Sequence, residues 1–253
     1  MGLLEGKVAI VTAAAGAGIG QAAARRFAQE GAQVLIGDVH PRRVQEVAEA
    51  MSKDYGREVP SVAVDVRDPA QVKSLVEAAL ERFGQIDILM NNAGINRLVP
   101  AWEMDDETWR LVIDTNLTGA FYCTRAVLPH MIERESGAII NMASVVGWFG
   151  SADGEAHYAA AKAGVMGFTR AVAAEVGKHG VRVNAIAPGL IYNEFLERIY
   201  PQEFFERFVR RVPLGRAGEP PDVADLALFL ASDLSRYITG EVICISGGAF
   251  MAP

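Results

Sequence analysis

The sequence has few of the residues that hold small disulfide-rich or zinc-binding proteins together. Only two of its 253 residues are cysteines, Cys123 and Cys244, too few for a disulfide framework or a zinc site. No apolar run approaches the length that crosses a bilayer, and the first residues lack the charged-then-apolar pattern of a secretory signal. We therefore expect a cytoplasmic protein with no membrane partner and no metal.

Positive charge is also scarce. The chain has 24 Lys and Arg against 31 Asp and Glu, a net charge of −7, which argues against a nucleic-acid partner. Hydrophobic residues make up 51% of the chain, enough to fill a large core, and the length suits one α/β domain. The composition thus leaves a single globular domain, residues 1–253, that acts on a small molecule.

A glycine-rich turn follows the first strand-like run. Residues 8–11 are mostly β-branched and predict a buried parallel strand, and a helical run extends from Gln21 to Glu30. In such a strand–turn–helix unit, backbone amides and the helix N-terminus bind a pyrophosphate. The alternative is an ordinary strand-to-helix turn. The residues expected to line the pyrophosphate are Gly16, Gly18, Ile19 and Gly20.

The next strand, Val34 to Asp38, ends in an acid. A carboxylate at this place accepts hydrogen bonds from the adenosine ribose and repels a 2′-phosphate, so NAD is favoured over NADP. Arg42 and Arg43 follow closely. They offer a phosphate site in principle, but the exposed side of the next helix is the simpler interpretation.

Strands then alternate with amphipathic helices, which predicts an α/β fold: one Rossmann-type, doubly wound parallel β-sheet with helices on both faces. The helices are expected over Pro41–Lys53 and Pro69–Phe83, and the strands over Ser61–Val64 and Ile86–Met90. Polar or small residues follow two of these strands, at Asp65-Val66 and Asn91-Asn92-Ala93-Gly94. The carboxyl edge of a parallel sheet is where ligands bind in such folds.

The stretch from Asn141 to Lys162 carries the candidate chemistry. An apolar strand ends near Ser144, and the Ala-rich helix after it carries Tyr158 and Lys162 four residues apart, on one face. A lysine cation beside a phenol lowers the pKa of the tyrosine. A hydroxyl from Ser144 can hold a substrate oxygen over the phenol, which suits proton transfer to and from a secondary alcohol. The alternative is a solvated helix face.

Together these motifs resemble the classical short-chain dehydrogenases/reductases, from Lys7 to about Gly248. The resemblance also includes Asn116, Pro188-Gly189 and the closing Ser246-Gly247-Gly248. It implies that Tyr158 is the general acid/base, that Lys162 lowers its pKa and binds the nicotinamide ribose, and that Ser144 orients the substrate oxygen. Asn116 would support a proton-relay water near Lys162.

The resemblance implies cofactor contacts along the carboxyl edge as well. They involve Gly16, Gly18, Ile19, Gly20, Asp38, Asp65, Val66, Asn92, Gly94, Tyr158, Lys162, Pro188, Gly189 and Ile191. Two positions depart from the family pattern. Ala13 stands where the family usually has glycine, so we expect Gly16 to supply the backbone freedom of a turn that is one residue longer. Asn193 replaces the usual threonine and can still donate to a carboxamide or phosphate.

Residues from about 190 to 216 occupy the place of the family's substrate lid and are unusually aromatic. An apolar or ring-bearing substrate fits this composition, as does a lid packing on its own body. Candidate substrate contacts are Trp148, Phe149, Asn193 and Phe195. Arg207, Arg210 and Arg211 are either a solvated helix face or contacts for coenzyme A phosphates. The chain is also similar to 3-oxoacyl-thioester reductases and to actinobacterial reductases of coenzyme A thioesters from steroid-ring breakdown.

The expected function is NAD(H)-dependent interconversion of a secondary alcohol and a ketone, on a coenzyme A or carrier-protein thioester. The alternatives are a free ketone, cyclic alcohol, sugar or steroid as substrate, or a non-catalytic NAD-binding scaffold. Two helices, Asp106–Glu133 and Ala156–His179, are apolar on more than one face. In the family these helices form the main dimer interface, so we expect a homotetramer.

Overall fold

The computed structural model, which describes residues 2–193, 196 and 202–251, is organised around one parallel sheet. Its seven strands lie in the order β3-β2-β1-β4-β5-β6-β7, and every pairing is parallel. The strands are β1 Val8–Thr12, β2 Gln33–Asp38, β3 Ser61–Ala63, β4 Ile88–Asn91, β5 Gly137–Met142, β6 Val181–Pro188 and β7 Val242–Ile245. The doubly wound sheet predicted from the sequence is confirmed.

Helices cover both faces of this sheet. They are α1 Ile19–Gln29, α2 Pro41–Tyr55, α3 Pro69–Phe83, α4 Asp106–Ile113, α5 Gly119–Glu133, α6 Val146–Phe149, α7 Ala156–Val176, α8 Gln202–Val209 and α9 Pro220–Ala231. On one face the core contains residues of α1, α2 and α9, including Phe27 and Met51. On the other face it contains residues of α3, α5 and α7, including Leu75 and Met131. In the part of the chain described, no helix is both long and apolar enough to cross a membrane.

Local signals set the ends of α3, which begins and ends as predicted. The side chain of Asp68 accepts hydrogen bonds from the amides of Ala70 and Gln71, and Pro69 occupies the first helical position. The helix ends at Gly84, whose φ of 74° suits a residue without a Cβ. These capping interactions depend on neighbouring residues alone, so the sequence is sufficient to predict them.

The long helix predicted over Asp106–Glu133 is divided. A π-helical turn, Asp114–Thr118, separates α4 from α5. Within it, the hydroxyl of Thr115 donates to the backbone carbonyl of Leu111 at 2.7 Å. The side-chain amide of Asn116 donates to the backbone carbonyl of Val112 at 2.9 Å. These side chains compete with the backbone for its carbonyls, which favours a locally wider turn. The distortion falls on Asn116, a predicted active-site residue.

Buried amides join β4, β5 and α7 near the carboxyl edge. Asn91 and Asn141 are paired in register, and Asn91 Nδ2 donates to Asn141 Oδ1 at 2.8 Å. Asn141 Nδ2 in turn donates to Thr169 Oγ1 of α7 at 3.0 Å. The chain order reverses between β1 and β4, which opens the ligand crevice of such sheets at the carboxyl ends of those strands.

Candidate active site

Helix α7 presents Tyr158 and Lys162 at this carboxyl edge. Lys162 is 3% exposed, and its Nζ donates to the carbonyl of Met142, the last residue of β5, at 2.7 Å. The same Nζ lies 5.4 Å from the centre of the Tyr158 ring. The two side chains therefore share one face of the helix, as the four-residue spacing predicts, and that face is buried against the sheet.

Ser144 lies opposite Tyr158 on the segment that follows β5. The amide of Ala143 donates to the carbonyl of Ile186 at 2.8 Å, and that of Val145 to Pro188 at 3.1 Å. These bonds to β6 fix the backbone on either side of Ser144, whose hydroxyl lies near the phenol of Tyr158 and favours its charged form. The structure thus brings together two hydroxyl groups, both able to bind one substrate oxygen.

Asn116 faces Lys162 from the π turn. Its Nδ2 donates to the carbonyls of Ile95 and Val112, at 2.8 and 2.9 Å, and its buried Oδ1 has no hydrogen-bond partner among the described residues. A Cβ at Gly94 would lie 2.6 Å from that Oδ1 and 3.4 Å from Lys162 Nζ. Glycine at 94 thus leaves room beside a buried acceptor and an amine, and a buried acceptor calls for a donor.

Burial dominates the acid–base properties of this group. It raises the pKa of Tyr158 to about 12; the nearby hydroxyl of Ser144 opposes the rise and the charge of Glu155 adds to it. Burial likewise lowers the pKa of Lys162 to about 7. The lowered tyrosine pKa that we predicted from the nearby lysine is therefore wrong for this structure, because desolvation penalises both charged forms. A neutral phenol is suited to donate a proton.

The glycine-rich turn follows β1, as predicted, but its strained residue is not a glycine. Ala13 has a φ of 53°, in the left-handed region. Gly16, which we expected to supply this freedom, is not among the residues with positive φ. A Cβ at Gly20 would lie 2.4 Å from both the Ala13 carbonyl oxygen and Asn92 Nδ2. The turn therefore packs closely where its backbone meets β4.

Helix α1 begins at Ile19, directly after this turn, and no side chain caps it at Gly18. The amides of its first turn are thus free of a side-chain acceptor and can bind an anion. A Cβ at Gly18 would meet nothing within 4 Å, so the space over this helix end is open. Gly18 and Ile19 therefore lie at an open helix start, whereas Gly20 is buried against the turn and Asn92.

Asp38 closes the other side of the turn. Its carboxylate accepts hydrogen bonds from the amides of Ala15 and His40, both at 3.0 Å, and the residue is 7% exposed. At the end of the neighbouring strand, Asp65 forms an ion pair with Arg67, which lowers the pKa of the Asp65 carboxyl. The carboxylate of Asp38 is therefore held in place at the end of β2 by backbone amides. The carboxylate of Asp65, after β3, is instead paired with Arg67.

Some predicted cofactor residues also have a structural task. The side-chain amide of Asn92 donates to the carbonyls of Thr12 and Ala13, both at 3.2 Å, and so holds the turn against β4. Val66 is buried against α5, where a Cβ at Gly119 would lie 2.6 Å from it. Asn92 and Val66 therefore support the chain segments at the carboxyl edge of the sheet.

The segment after β6 lines the far end of the crevice. The amide of Gly189, after Pro188, donates to the carbonyl of Ile245 at 2.9 Å, and Ile191 bridges to Gly218. Asn193 Nδ2 donates to the carbonyl of Ile191 at 3.4 Å, so this amide engages the chain's own backbone. Phe195, another predicted substrate contact, lies outside the described residues.

An aromatic cluster lies beyond Ser144. Trp148 and Phe149 are on the short helix α6, and Phe149, 50% exposed, stacks on Phe250 with ring centres 5.3 Å apart. The ring centre of Phe208, on α8, lies 6.0 Å from that of Phe250. No motif points to Phe250, although it lies two residues after the predicted Ser246-Gly247-Gly248 segment. Only the fold brings these three rings together.

The charged side of α8 meets the loop before α7. Arg207 pairs with Asp153 at 3.9 Å, and both side chains are largely exposed. Arg210 and Arg211 are exposed as well. No group of three or more potential metal ligands occurs in residues 2–193, 196 and 202–251.

Comparisons with known proteins extend this description. The profile of the enoyl-(acyl carrier protein) reductase family matches residues 13–249. A hydroxy-methyl-oxo-hexahydroindene-carboxyl-CoA reductase of Mycobacterium tuberculosis is 46% identical over 97% of this chain and 94% of its own length. A 3-oxoacyl-[acyl-carrier-protein] reductase of Thermotoga maritima is 44% identical over 97% and 98%. A crystal structure from Sinorhizobium meliloti, described as a short-chain alcohol dehydrogenase, superposes with a TM-score of 0.90 at 36% identity, covering 97% of each chain.

Proposed function

Because the chain belongs to the short-chain dehydrogenase/reductase family of oxidoreductases, we propose that it interconverts the ketone and alcohol of a 3-oxoacyl or 3-hydroxyacyl thioester with NAD(H). One observation carries the reaction class: buried Ser144 and Lys162 lie beside the partly exposed Tyr158, and buried Asn116 faces Lys162, at the sheet edge that also carries the glycine-rich turn. An amphipathic helix that merely faced solvent would not bury its lysine in this way.

The crevice fits a dinucleotide. The uncapped start of α1 is suited to the pyrophosphate, and the acid at the tip of β2 to the adenosine ribose. When bound, a nicotinamide cofactor supplies or accepts the hydride. The preference for NAD over NADP rests on Asp38, because a fixed, nearly buried carboxylate repels a 2′-phosphate more strongly than an exposed one does. Asp65, Val66, Asn92, Gly94, Pro188, Gly189 and Ile191 complete this proposed cofactor crevice.

The proton chemistry follows from the same geometry. In reduction, Tyr158 donates its proton to the substrate oxygen while the hydroxyl of Ser144 holds that oxygen in place. Lys162 then restores the proton to Tyr158 through an intervening hydroxyl or water, and the free Oδ1 of Asn116 orients the donor in that chain. In oxidation each transfer runs in reverse.

The proposed substrate class rests on the two curated relatives, whose names specify carrier-protein and coenzyme A thioesters. The aromatic cluster of Phe149, Phe208 and Phe250 adds support, because stacked rings at the edge of the site suit an apolar or ring-bearing acyl group. Trp148, Asn193 and Phe195 are proposed as further contacts. We propose that residues 190–216 cover the substrate and that Arg207, Arg210 and Arg211 face the phosphates of the carrier.

A free ketone or alcohol is the second candidate substrate. The structural relative from Sinorhizobium meliloti, described as an alcohol dehydrogenase, favours it. The acid–base group is indifferent to what lies beyond the reacting carbon, so both candidates use the same chemistry. They differ in whether activity depends on the thioester.

A homotetramer is proposed on two surfaces. On α4 and α5, Trp109 and Phe121 are 43% and 38% exposed, and the Phe121 ring meets Phe168 of α7 edge-on. A second half-exposed apolar surface lies on β7. Burying both requires two different contacts between copies, which is the arrangement of a tetramer with dihedral symmetry. Size-exclusion chromatography with light scattering tests this directly.

Cysteine usage supports a cytoplasmic location. Both cysteines of the described structure are free, and Cys123 is buried in the core, where burial raises the pKa of its thiol to about 12. A buried thiol of this kind is unreactive, and both cysteines can remain reduced thiols in a reducing compartment. Fractionation of cells that produce the protein tests the proposal.

The proposed function is tested by following NADH oxidation with acetoacetyl-coenzyme A beside a panel of free ketones and cyclic diketones. Each substrate is also assayed with NADPH. We expect the highest kcat/KM with a thioester and NADH. Turnover of free ketones alone would contradict the thioester assignment, and a preference for NADPH would contradict the role given to Asp38.

A further inference from the structure

Two neighbouring residues at the end of β5 bind α7 at two points. The carbonyl of Met142 accepts the 2.7 Å bond from Lys162 Nζ, and Asn141 Nδ2 donates to Thr169 Oγ1 at 3.0 Å. The proton transfer described above uses Lys162 but neither Asn141 nor Thr169. Asn141 and Thr169 are both fully buried, so their hydrogen bond is shielded from competition with water.

Lys162 and Thr169 lie on the same face of α7, because seven residues make almost two helical turns. Along the helix axis they are about 10 Å apart. The apolar contacts between α7 and the sheet are non-directional, whereas the two hydrogen bonds have a required geometry. Two directed contacts that far apart define how the helix is turned and how far it has moved along the strand. The reach of the Lys162 amine therefore depends on both bonds.

Both partners of the second bond are themselves held in one orientation. Asn141 Oδ1 accepts a 2.8 Å bond from Asn91 Nδ2 of β4, which leaves the Nδ2 of Asn141 directed towards α7. The hydroxyl of Thr169 donates to the carbonyl of Val165, one turn earlier, at 2.8 Å. Since that hydroxyl has a single hydrogen, Thr169 can only accept from Asn141. The bond is therefore the contact that transmits the position of the central strands to α7.

We propose that Asn141 and Thr169 are positioning residues for Lys162: their hydrogen bond holds α7 where the amine reaches the Met142 carbonyl and the space beside Asn116. The inference rests on the proposed function. Without this bond α7 remains folded on the sheet, but the amine is no longer held in one place. Misplacing a reacting group by about 1 Å lowers a rate by up to about 100-fold.

The first test removes the acceptor on α7. Thr169→Val has nearly the same shape but no hydroxyl, and we expect its kcat at saturating NADH and acetoacetyl-coenzyme A to fall by about 10- to 100-fold. Thr169→Ser keeps the acceptor and should retain most of the wild-type kcat. If Thr169→Val does not fold, Thr169→Ala also lacks the hydroxyl and favours helix. A loss in Thr169→Ser equal to that in Thr169→Val would overturn the proposal.

The matched control is Thr124→Val, the same substitution on α5. Thr124 is 1% exposed and accepts from Asn91 Nδ2 at 3.0 Å, so it belongs to the same set of buried hydrogen bonds. Asn91 Nδ2 also has the carbonyl of Ala120 and the Oδ1 of Asn141 as acceptors, one for each of its two hydrogens. Thr124→Val thus leaves the bond from Asn141 to α7 intact and should leave kcat unchanged.

A second measurement follows the position of the amine without turnover. Lys162 is 3% exposed, so acetic anhydride reaches it only when its surroundings open. Loss of one hydrogen bond changes such an opening equilibrium by about 3- to 10-fold. We therefore expect acetylation of Lys162, measured by mass spectrometry against exposed Lys178, to be faster by about that factor in Thr169→Val and unchanged in Thr124→Val.

The two measurements separate the inference from the proposed function. An unchanged kcat or an unchanged acetylation rate of Lys162 in Thr169→Val would overturn the inference, and so would equal effects in Thr124→Val. Failure of the wild type to reduce acetoacetyl-coenzyme A would instead count against the proposed function. In that case kcat is compared with a ketone that the wild type reduces, and the acetylation rates decide the inference if it reduces none.

Discussion

Replacing Lys162 by methionine should abolish turnover and, at neutral pH, make the protein more stable. The folded protein lowers the pKa of this amine from 10.5 to about 7 because the charged form is desolvated. At about 1.4 kcal/mol per pKa unit, the shift corresponds to an upper limit of about 5 kcal/mol. Local relaxation reduces that cost, and methionine loses the bond to the Met142 carbonyl, worth about 1–2 kcal/mol. We expect a net gain of about 1–3 kcal/mol at pH 6.5.

The pH dependence makes this reasoning testable. Below pH 7 the folded protein must bury a charged amine, so the whole cost applies; it then declines as the pH rises towards 10.5, where the unfolded chain also loses the proton. The advantage of Lys162→Met, measured by urea unfolding at one protein concentration, should therefore fall by at least about 2 kcal/mol between pH 6.5 and pH 10. Exposed Lys178→Met is the control and should show no such slope. A constant difference between wild type and Lys162→Met would refute the argument.

Three further substitutions test the site and its support. Tyr158→Phe should lower kcat/KM by about 10³-fold because it removes the proton donor; loss of NADH affinity of similar size would point to a binding role instead. Asp38→Asn should raise the NADPH-to-NADH ratio of kcat/KM by about 10-fold, and an unchanged ratio would remove the basis for preferring NAD. Ala13→Gly should raise the free energy of unfolding by about 0.5–1 kcal/mol by relieving the left-handed backbone, whereas Ala14→Gly should lower it; a loss of stability in Ala13→Gly would show that its φ carries no strain.

Features that depend on neighbouring residues were open to prediction from the sequence. Asp68, Pro69 and Gly84 define α3 by local capping, and the spacing of Tyr158 and Lys162 places them on one face whatever packs against it. The order of strands and helices likewise implies a parallel sheet, with the polar strand ends along one edge.

Features that depend on packing between distant parts of the chain could not be predicted from the sequence. The pKa of Tyr158 follows from how deeply its hydroxyl is desolvated, which requires the fold. Phe250 reaches Phe149 only because the chain returns to the site after β7. The π turn at Asn116 arises from side chains competing for the helix carbonyls, and an apolar pattern over Asp106–Glu133 cannot distinguish it from a regular helix.

The buried amide pair between β4 and β5 has a consequence for how the molecule assembles. If β5 slipped by one residue against β4, Asn91 and Asn141 would no longer face each other, and each would bury amide groups without partners. Apolar strands alone tolerate such errors more readily. The pair therefore penalises misaligned intermediates during folding, and the alignment that it favours is the one that places Ser144, on the chain after β5, and Gly94, on the chain after β4, along the same edge of the sheet.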